Sequence, residues 1–252
     1  MITTTPFRRT ILARPSPSGR NLFLLWLACL IGLPAAAAAS TAGAGIAHAD
    51  FGSAPVSDDV RRVADWVVST NDHRGLPFIV VDKARARLFL FDGSETIRGT
   101  TPVLLGLARG DDSPVGIGEK KLAAIRPEER ITPAGRFIAG LGVNLSGEDI
   151  LWVDYGAAIS LHRVTDPKPG LTARGRTARL ASATALDNRI SHGCINVSGS
   201  FFVQVVRPIF AGAGGIVYVL PETRPVSSLF PVPSAHARAD AQGAMPTAAG
   251  RT

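Results

Sequence analysis

The chain has 252 residues, 46% hydrophobic and 19% charged, enough for one good core plus flanking segments. Its formal charge of +7 overstates the basic character of that core: Arg8, Arg9, Arg14 and Arg20 precede the first acid, Asp50, and without them the remainder is near +3. No basic stripe interleaved with aromatics is present, which excludes a nucleic-acid partner, while a mild positive charge suits an anionic polymer.

Residues 1–49 read as a segment outside the core. The four arginines lead into the apolar run LFLLWLACLIGL at 22–33, then PAAAAAS, then the small-residue site Ala47-His48-Ala49. Basic region, apolar region and A-x-A site in that order describe a cleaved export signal, and so an exported protein of the periplasm or cell envelope. The alternative is an uncleaved anchor, since 22–39 is just long enough to span a bilayer. Membrane contact is expected through this segment alone. The Arg8-Arg9 pair hints at the twin-arginine route. Cys29 lies inside the apolar run, with LIGL after it, and reads as an inert signal residue. Cleavage after Ala49 leaves Cys194 as the sole thiol, which bars an intramolecular disulfide; an exported protein with one thiol either buries it or uses it.

An N-terminal helix and linker are expected over 50–76. Ser57 is an N-cap candidate followed by two acids, and Val60, Val63, Ala64 and Val67 recur at helical spacing. NDHRG then breaks the pattern, and His73 in it reads as a solvated loop residue. From Pro77 the pattern is that of strands. FIVV and ARLFLF flank DKAR and are closed by DG, which predicts a β-hairpin. TTPVLLGLARG is a further strand running into the loop DDSPVGIGEKK, and ITPAGRFIAG puts Pro133 and Gly135 where a tight turn wants them. ILWVDYGAAISLHRV, 150–164, reads as one long strand interrupted at Asp154 and Gly156. SGSFFVQVVRPIF is a candidate short helix and GGIVYVLPE a closing strand. The tail 223–252, rich in Pro, Ala and Ser, reads as disordered, and His236 in it needs no role; His48 is expected to be lost in processing.

The chemistry gathers in NRISHGCINV, 188–197. A thiol attacks as thiolate and needs a base or a positive environment to form one at neutral pH. Gly193 removes a side chain beside the nucleophile, letting backbone N–H groups approach a developing oxyanion. His192, Gly193 and Cys194 therefore fit acyl transfer through a thioester, although three such residues on a strand are by themselves weak support. A metal site is the other reading, but two ligands on one strand face are too few for structural zinc, and no CxxC or HxxxH supplies more.

SHGCIN, 191–196, resembles the signature of the L,D-transpeptidases, the YkuD-like family: Ser or Thr, His-Gly-Cys, a hydrophobic residue, then Asn or Arg. The resemblance extends in order over 77–221. PFIVVDKARARLFLFDG looks like the family's opening hairpin, TPAGRF like its Thr-Pro-x-Gly-x-Phe turn, AISLHRV like the strand bearing its catalytic histidine, and GGIVYVL like its closing strand. It implies a mostly-β fold, a mixed-sheet β-sandwich with one or two short helices over 77–222, and an active site at the end of a cleft. It also implies cell-wall chemistry on peptidoglycan stem peptides: the cysteine attacks the carbonyl before the terminal D-Ala of a tetrapeptide stem, and an amine of a second stem takes the acyl group in a 3–3 cross-link. No metal or organic cofactor is implied.

Carried over by position, Cys194 is the nucleophile and His162 the proton acceptor and donor. His192 and Gly193 shape the oxyanion pocket, and Ser191, Asn196 and Arg189 contact substrate or order the loop, Arg189 as a holder of a substrate carboxylate or else as a salt-bridged arginine. Two departures bear on His162. The family's histidine lies roughly sixteen residues before the cysteine, whereas 28 residues, 163–190, separate His162 from Ser191 here. Arg163 also stands where many relatives have a small residue whose oxygen orients the ring. The insertion carries a net +4, from Arg163, Lys168, Arg174, Arg176, Arg179 and Arg189 against Asp166 and Asp187, and reads equally as a lid or as a solvated loop. A carboxypeptidase that passes the acyl group to water, and a non-catalytic wall-binding domain, are the competing functions.

Overall fold

The computed structural model describes residues 47–165 and 175–232. The expected export signal falls outside them except for 47–49, and so does the tail from 233. Among the described residues no helix is long and apolar enough to cross a membrane.

Helix α1 (Asp58–Thr70) begins where the side chain of Ser57 accepts the Val60 N–H and two acids occupy the first turn, and it ends at Asn71 in the left-handed region, φ 51°. Val60, Val63, Ala64 and Val67 are wholly buried. Ten strands follow among the described residues: β1 (Phe78–Asp82), β2 (Arg87–Phe91), β3 (Ile97–Pro102), β4 (Leu105–Gly106), β5 (Gly135–Val143), β6 (Asp149–Asp154), β7 (Ile159–Arg163), β8 (Arg189–Ser191), β9 (Ile195–Val197) and β10 (Gly215–Val219). Eight form one sheet in the order β3-β2-β1-β10-β5-β6-β7-β9, and β4 pairs with β8. The β1–β10 and β7–β9 pairs are parallel and the other neighbours in the large sheet antiparallel. The fold is mostly β, a large mixed sheet with a few short helices, as the sequence implied.

The central strands are buried on both faces, so they read as continuous apolar runs rather than as alternation. Ile79, Val81, Leu88 and Leu90 enter one core with Leu161, Ile195 and Phe202. Phe78, Val80, Phe89 and Phe91 enter a second core under α1. Each fully buried side chain of this kind contributes about 1.5–3 kcal/mol. The first core joins residues from both ends of the sheet, so the sheet curls over it. Leu104, just past β3 at one edge, exchanges backbone hydrogen bonds with Asn196 in β9 at the other edge (2.8 and 2.9 Å). The strand that follows Cys194 is thus clamped where the sheet closes.

Four expectations are corrected. His73 is not a solvated loop residue: its side chain is buried, with Nδ1 2.9 Å from the Leu76 carbonyl and Nε2 3.2 Å from Glu95. The 150–164 run is not one strand but a hairpin of β6 and β7. Asp154 Oδ1 accepts the Ala157 N–H at 3.1 Å and Ala158 adopts φ 55°, so the polar interruption is the turn itself. The 50–76 segment is part of the body rather than a linker: Phe51 packs edge-on against Phe89 and Phe91, and Asp50 bridges Thr96. The tail is not structureless from Thr223, because Val226, Phe230 and Val232 complete the second core. The Pro-rich composition hid three apolar anchors.

An ionic cluster ties the loops beneath β8. The Lys83 side chain is wholly buried and donates to the Gly110 carbonyl, to Asp111 Oδ1 (2.9 Å) and to the Thr132 carbonyl (2.9 Å). Asp111 also accepts from the Glu222 and Thr223 N–H groups (2.7 and 2.9 Å) and from the Thr223 hydroxyl. Burial pushes the Asp111 carboxyl up, but these donors outweigh it and hold the group well below its ordinary 3.8. A depressed folded value means that its stabilisation is present above that pH and is lost as acid protonates it. Asp111→Asn is expected to lower stability by about 3 kcal/mol, because a buried ammonium loses its nearest counter-charge. The check is a fall in the urea midpoint at constant slope; a midpoint unchanged would mean that Glu222, 3.7 Å from Lys83 Nζ, suffices alone.

Candidate active site

Strands β7 and β9 run parallel with His162 in register with Asn196, and Cys194 immediately precedes β9. Along β7, Ile159 and Leu161 point into the core while Ser160 and His162 take the opposite face. That face meets the thiol. Ser160 Oγ lies 3.7 Å from Cys194 Sγ and the Ala158 carbonyl 3.9 Å from it, and His162 shares their side of β7.

The two groups charge each other. Burial pushes the Cys194 thiol up, but the hydrogen bond and charge of His162, with help from the Ser160 N–H and hydroxyl, bring it below its ordinary 9.0. Burial pushes His162 down, but the thiol and the Arg163 carbonyl bring it above its ordinary 6.5, with Arg176 opposing. The directions are those of a thiolate–imidazolium pair.

The ring is held from both sides. His162 Nδ1 donates to the Arg163 carbonyl at 2.9 Å, and Nε2 of the neutral ring accepts from Asn196 Nδ2 at 2.9 Å, a contact that must open when Nε2 takes a proton. The orienting oxygen expected from a small side chain after the histidine is here supplied by the main chain of Arg163 itself. The 28-residue separation is no obstacle either, because strand pairing, not sequence distance, brings His162 to Cys194.

Ser191 and Asn196 are buried, unlike residues that meet a substrate. The Ser191 hydroxyl accepts the Gly193 N–H (3.0 Å) and donates to the Cys194 carbonyl (2.7 Å), which fixes the nucleophile loop. Asn196 is fully buried and positions His162. Arg189 does not face a substrate carboxylate either: it binds both oxygens of Glu222 and the Lys83 carbonyl, the salt-bridged alternative. His192 is partly exposed, and burial with the charges of Arg130 and Arg176 pushes it below its ordinary value. The Gly193 N–H, a candidate oxyanion donor, is engaged by Ser191 in this state. Among the described residues no three His, Cys, Asp or Glu side chains gather as a metal site would require.

Gly193 is required by space as well as conformation. Its φ is +131°, and a Cβ would lie 2.7 Å from Ile159 Cδ1 and 2.8 Å from the Ile131 carbonyl oxygen. Gly193→Ala is expected to displace Cys194 and slow thiol-dependent turnover about 10²-fold, the scale of an ångström's misplacement. Retained turnover in the folded variant would show that the loop tolerates the shift.

Sequence reasoning missed the role of Thr132. Its hydroxyl accepts the Gly106 N–H (2.8 Å) and donates to the Gly193 carbonyl (2.7 Å), so it pins the nucleophile loop from a turn 61 residues away. The signal was TPAGRF, read only as turn chemistry. Of the insertion, 166–174 lie outside the described residues, including Asp166, Lys168 and Arg174. The rest forms α2 (Arg176–Leu180), anchored by buried Leu180. From it Arg179 donates to the Asp187 carbonyl (3.2 Å), while Arg176 Nη1 reaches Asn196 Oδ1 at 3.4 Å.

No family model matches the chain, and no curated protein does. Among solved structures, the helical cell shape determining protein Pgp2 from Campylobacter jejuni is 16% identical with a TM-score of 0.38, over 59% of this chain and 49% of that one. The chain thus spans about half the length of that protein, and a likeness of this degree assigns no function.

Proposed function

We propose that this chain is an L,D-transpeptidase of the YkuD-like family, exported to the cell envelope, with Cys194 as nucleophile on peptidoglycan tetrapeptide stems. The observation that carries the reading is the Cys194–His162 pair, each pushing the other toward its charged form within the SHGCIN signature. In the proposed reaction the thiolate attacks the carbonyl before the terminal D-Ala. Imidazolium His162 gives its proton to the departing amine, D-Ala leaves, and a thioester remains on Cys194. Neutral His162 then takes a proton from the amine of a second stem as that amine attacks the thioester; the carbon–sulfur bond breaks and Cys194 leaves as thiolate, which restores the starting pair. A non-catalytic binder has no need of a thiol held below its ordinary value beside a histidine.

The test is incubation of the purified protein with disaccharide-tetrapeptide and analysis of the soluble products. D-Ala release with a 3–3 linked dimer supports the transpeptidase. D-Ala release with tripeptide alone moves the assignment to a carboxypeptidase. Neither product overturns both.

A further inference from the structure

The site contains two cations that its proton transfers do not use. Cys194, His162, His192, Arg130 and Arg176 are all partly exposed, whereas Ser191, Gly193 and Asn196 are buried. The first group is reachable from solvent and the second is not. The other arginines near this region are engaged: Arg189 by Glu222, Arg163 by Glu148 and Arg179 by the Asp187 carbonyl. Arg176 and Arg130 have no carboxylate partner among the described residues. Arg176 makes a single long hydrogen bond, to Asn196 Oδ1, and Arg130 holds only the Ile125 carbonyl, through Nε and Nη2, leaving Nη1 free. Both bear on the nucleophile loop. Asn196, which Arg176 touches, touches His162 in turn, and the backbone after Arg130 packs on Gly193 through Ile131 and Thr132.

We propose that Arg176 and Arg130 form a carboxylate subsite at the mouth of the thiol site, and that its ligand is the free α-carboxylate of the amino acid that leaves on acylation. The assignment to a leaving amino acid rests on the proposed peptidase-type chemistry; the preference for an anion beside Cys194 does not. Arg176, whose guanidinium reaches Asn196, and Arg130, whose neighbours Ile131 and Thr132 pack on Gly193, suit a carboxylate better than a neutral group, because each can give charge-assisted hydrogen bonds in fixed geometry. A second consequence follows. The charges of Arg176 and Arg130 push His192 down, and that of Arg176 opposes protonation of His162. A bound carboxylate offsets the opposition of Arg176 to protonation of His162. The insertion that departs from the family pattern thereby supplies Arg176 as a specificity residue.

The test compares alkylation of Cys194 by iodoacetate, an anion, and by iodoacetamide, its neutral analogue. In both, the sulfur–carbon bond forms and iodide leaves. Using two reagents on one protein cancels any general loss of thiol reactivity. The iodoacetate-to-iodoacetamide rate ratio is expected to fall about tenfold in Arg176→Gln and to recover largely in Arg176→Lys, as a hydrogen-bonded charge implies. In the wild type the ratio is expected to fall with added salt, which screens exposed charges within about 10 Å at 0.1 M. A ratio unchanged by Arg176→Gln and by Arg130→Gln overturns the subsite, even if tetrapeptide is turned over. A falling ratio in a protein that releases no D-Ala leaves the anion subsite standing and removes the proposed function instead.

Discussion

Replacing Cys194 by serine is expected to abolish both D-Ala release and the covalent intermediate, a loss of roughly 10⁴–10⁶ in turnover. The substitution is nearly isosteric, so Ser160, the Ala158 carbonyl and the loop braces from Ser191 and Thr132 all remain in place. What changes is acidity. His162 brings the thiol below its ordinary value despite burial, but a hydroxyl in the same pocket stays protonated and unreactive. Turnover by the serine variant near the wild-type rate would mean that the thiol is a bystander.

Loss of His162 is the second large effect, and its signature lies in pH as well as rate. His162→Ala should lower acylation by roughly 10²–10⁴, the range for a positioned acid–base group. In the wild type the thiol is lowered and the imidazole raised from their ordinary values, so the thiolate–imidazolium form is favoured relative to the two groups apart. Iodoacetamide alkylation of Cys194 should therefore reach its midpoint below pH 9.0. Removing His162 deletes the strongest opposition to burial, and the midpoint should move up. A midpoint that stays put while the corresponding His192 variant shifts it would reverse the two histidines' roles.

Local chemistry was legible in the sequence and long-range pairing was not. The Ser57 cap, the apolar spacing of α1 and the DKAR hairpin act over a few residues, and each formed as read. Alternation along 159–162 correctly set His162 opposite the apolar pair, since strand geometry is itself local. The break at Asp154 was visible, but the side-chain cap that makes it a reversal was not. The contacts that brace the nucleophile loop came from a distance. Arg189 finds Glu222 33 residues on, Thr132 finds Gly193 61 residues on, and Leu104 clamps Asn196 across the closing sheet. None of these pairs leaves a periodic trace in the chain. Ser191 and Asn196 were left between substrate contact and loop ordering because residue type does not reveal which side of the loop a hydroxyl or amide faces.

The most direct test of a thiolate nucleophile at Cys194 is the mass of the protein itself after brief exposure to disaccharide-tetrapeptide and an acid quench. The expected result is an adduct equal to the stem less its terminal D-Ala, mapped to the peptide bearing Cys194, absent in Cys194→Ser and discharged by an added amine or by hydrolysis. D-Ala release with no adduct at that cysteine, or an adduct mapped elsewhere, would contradict it.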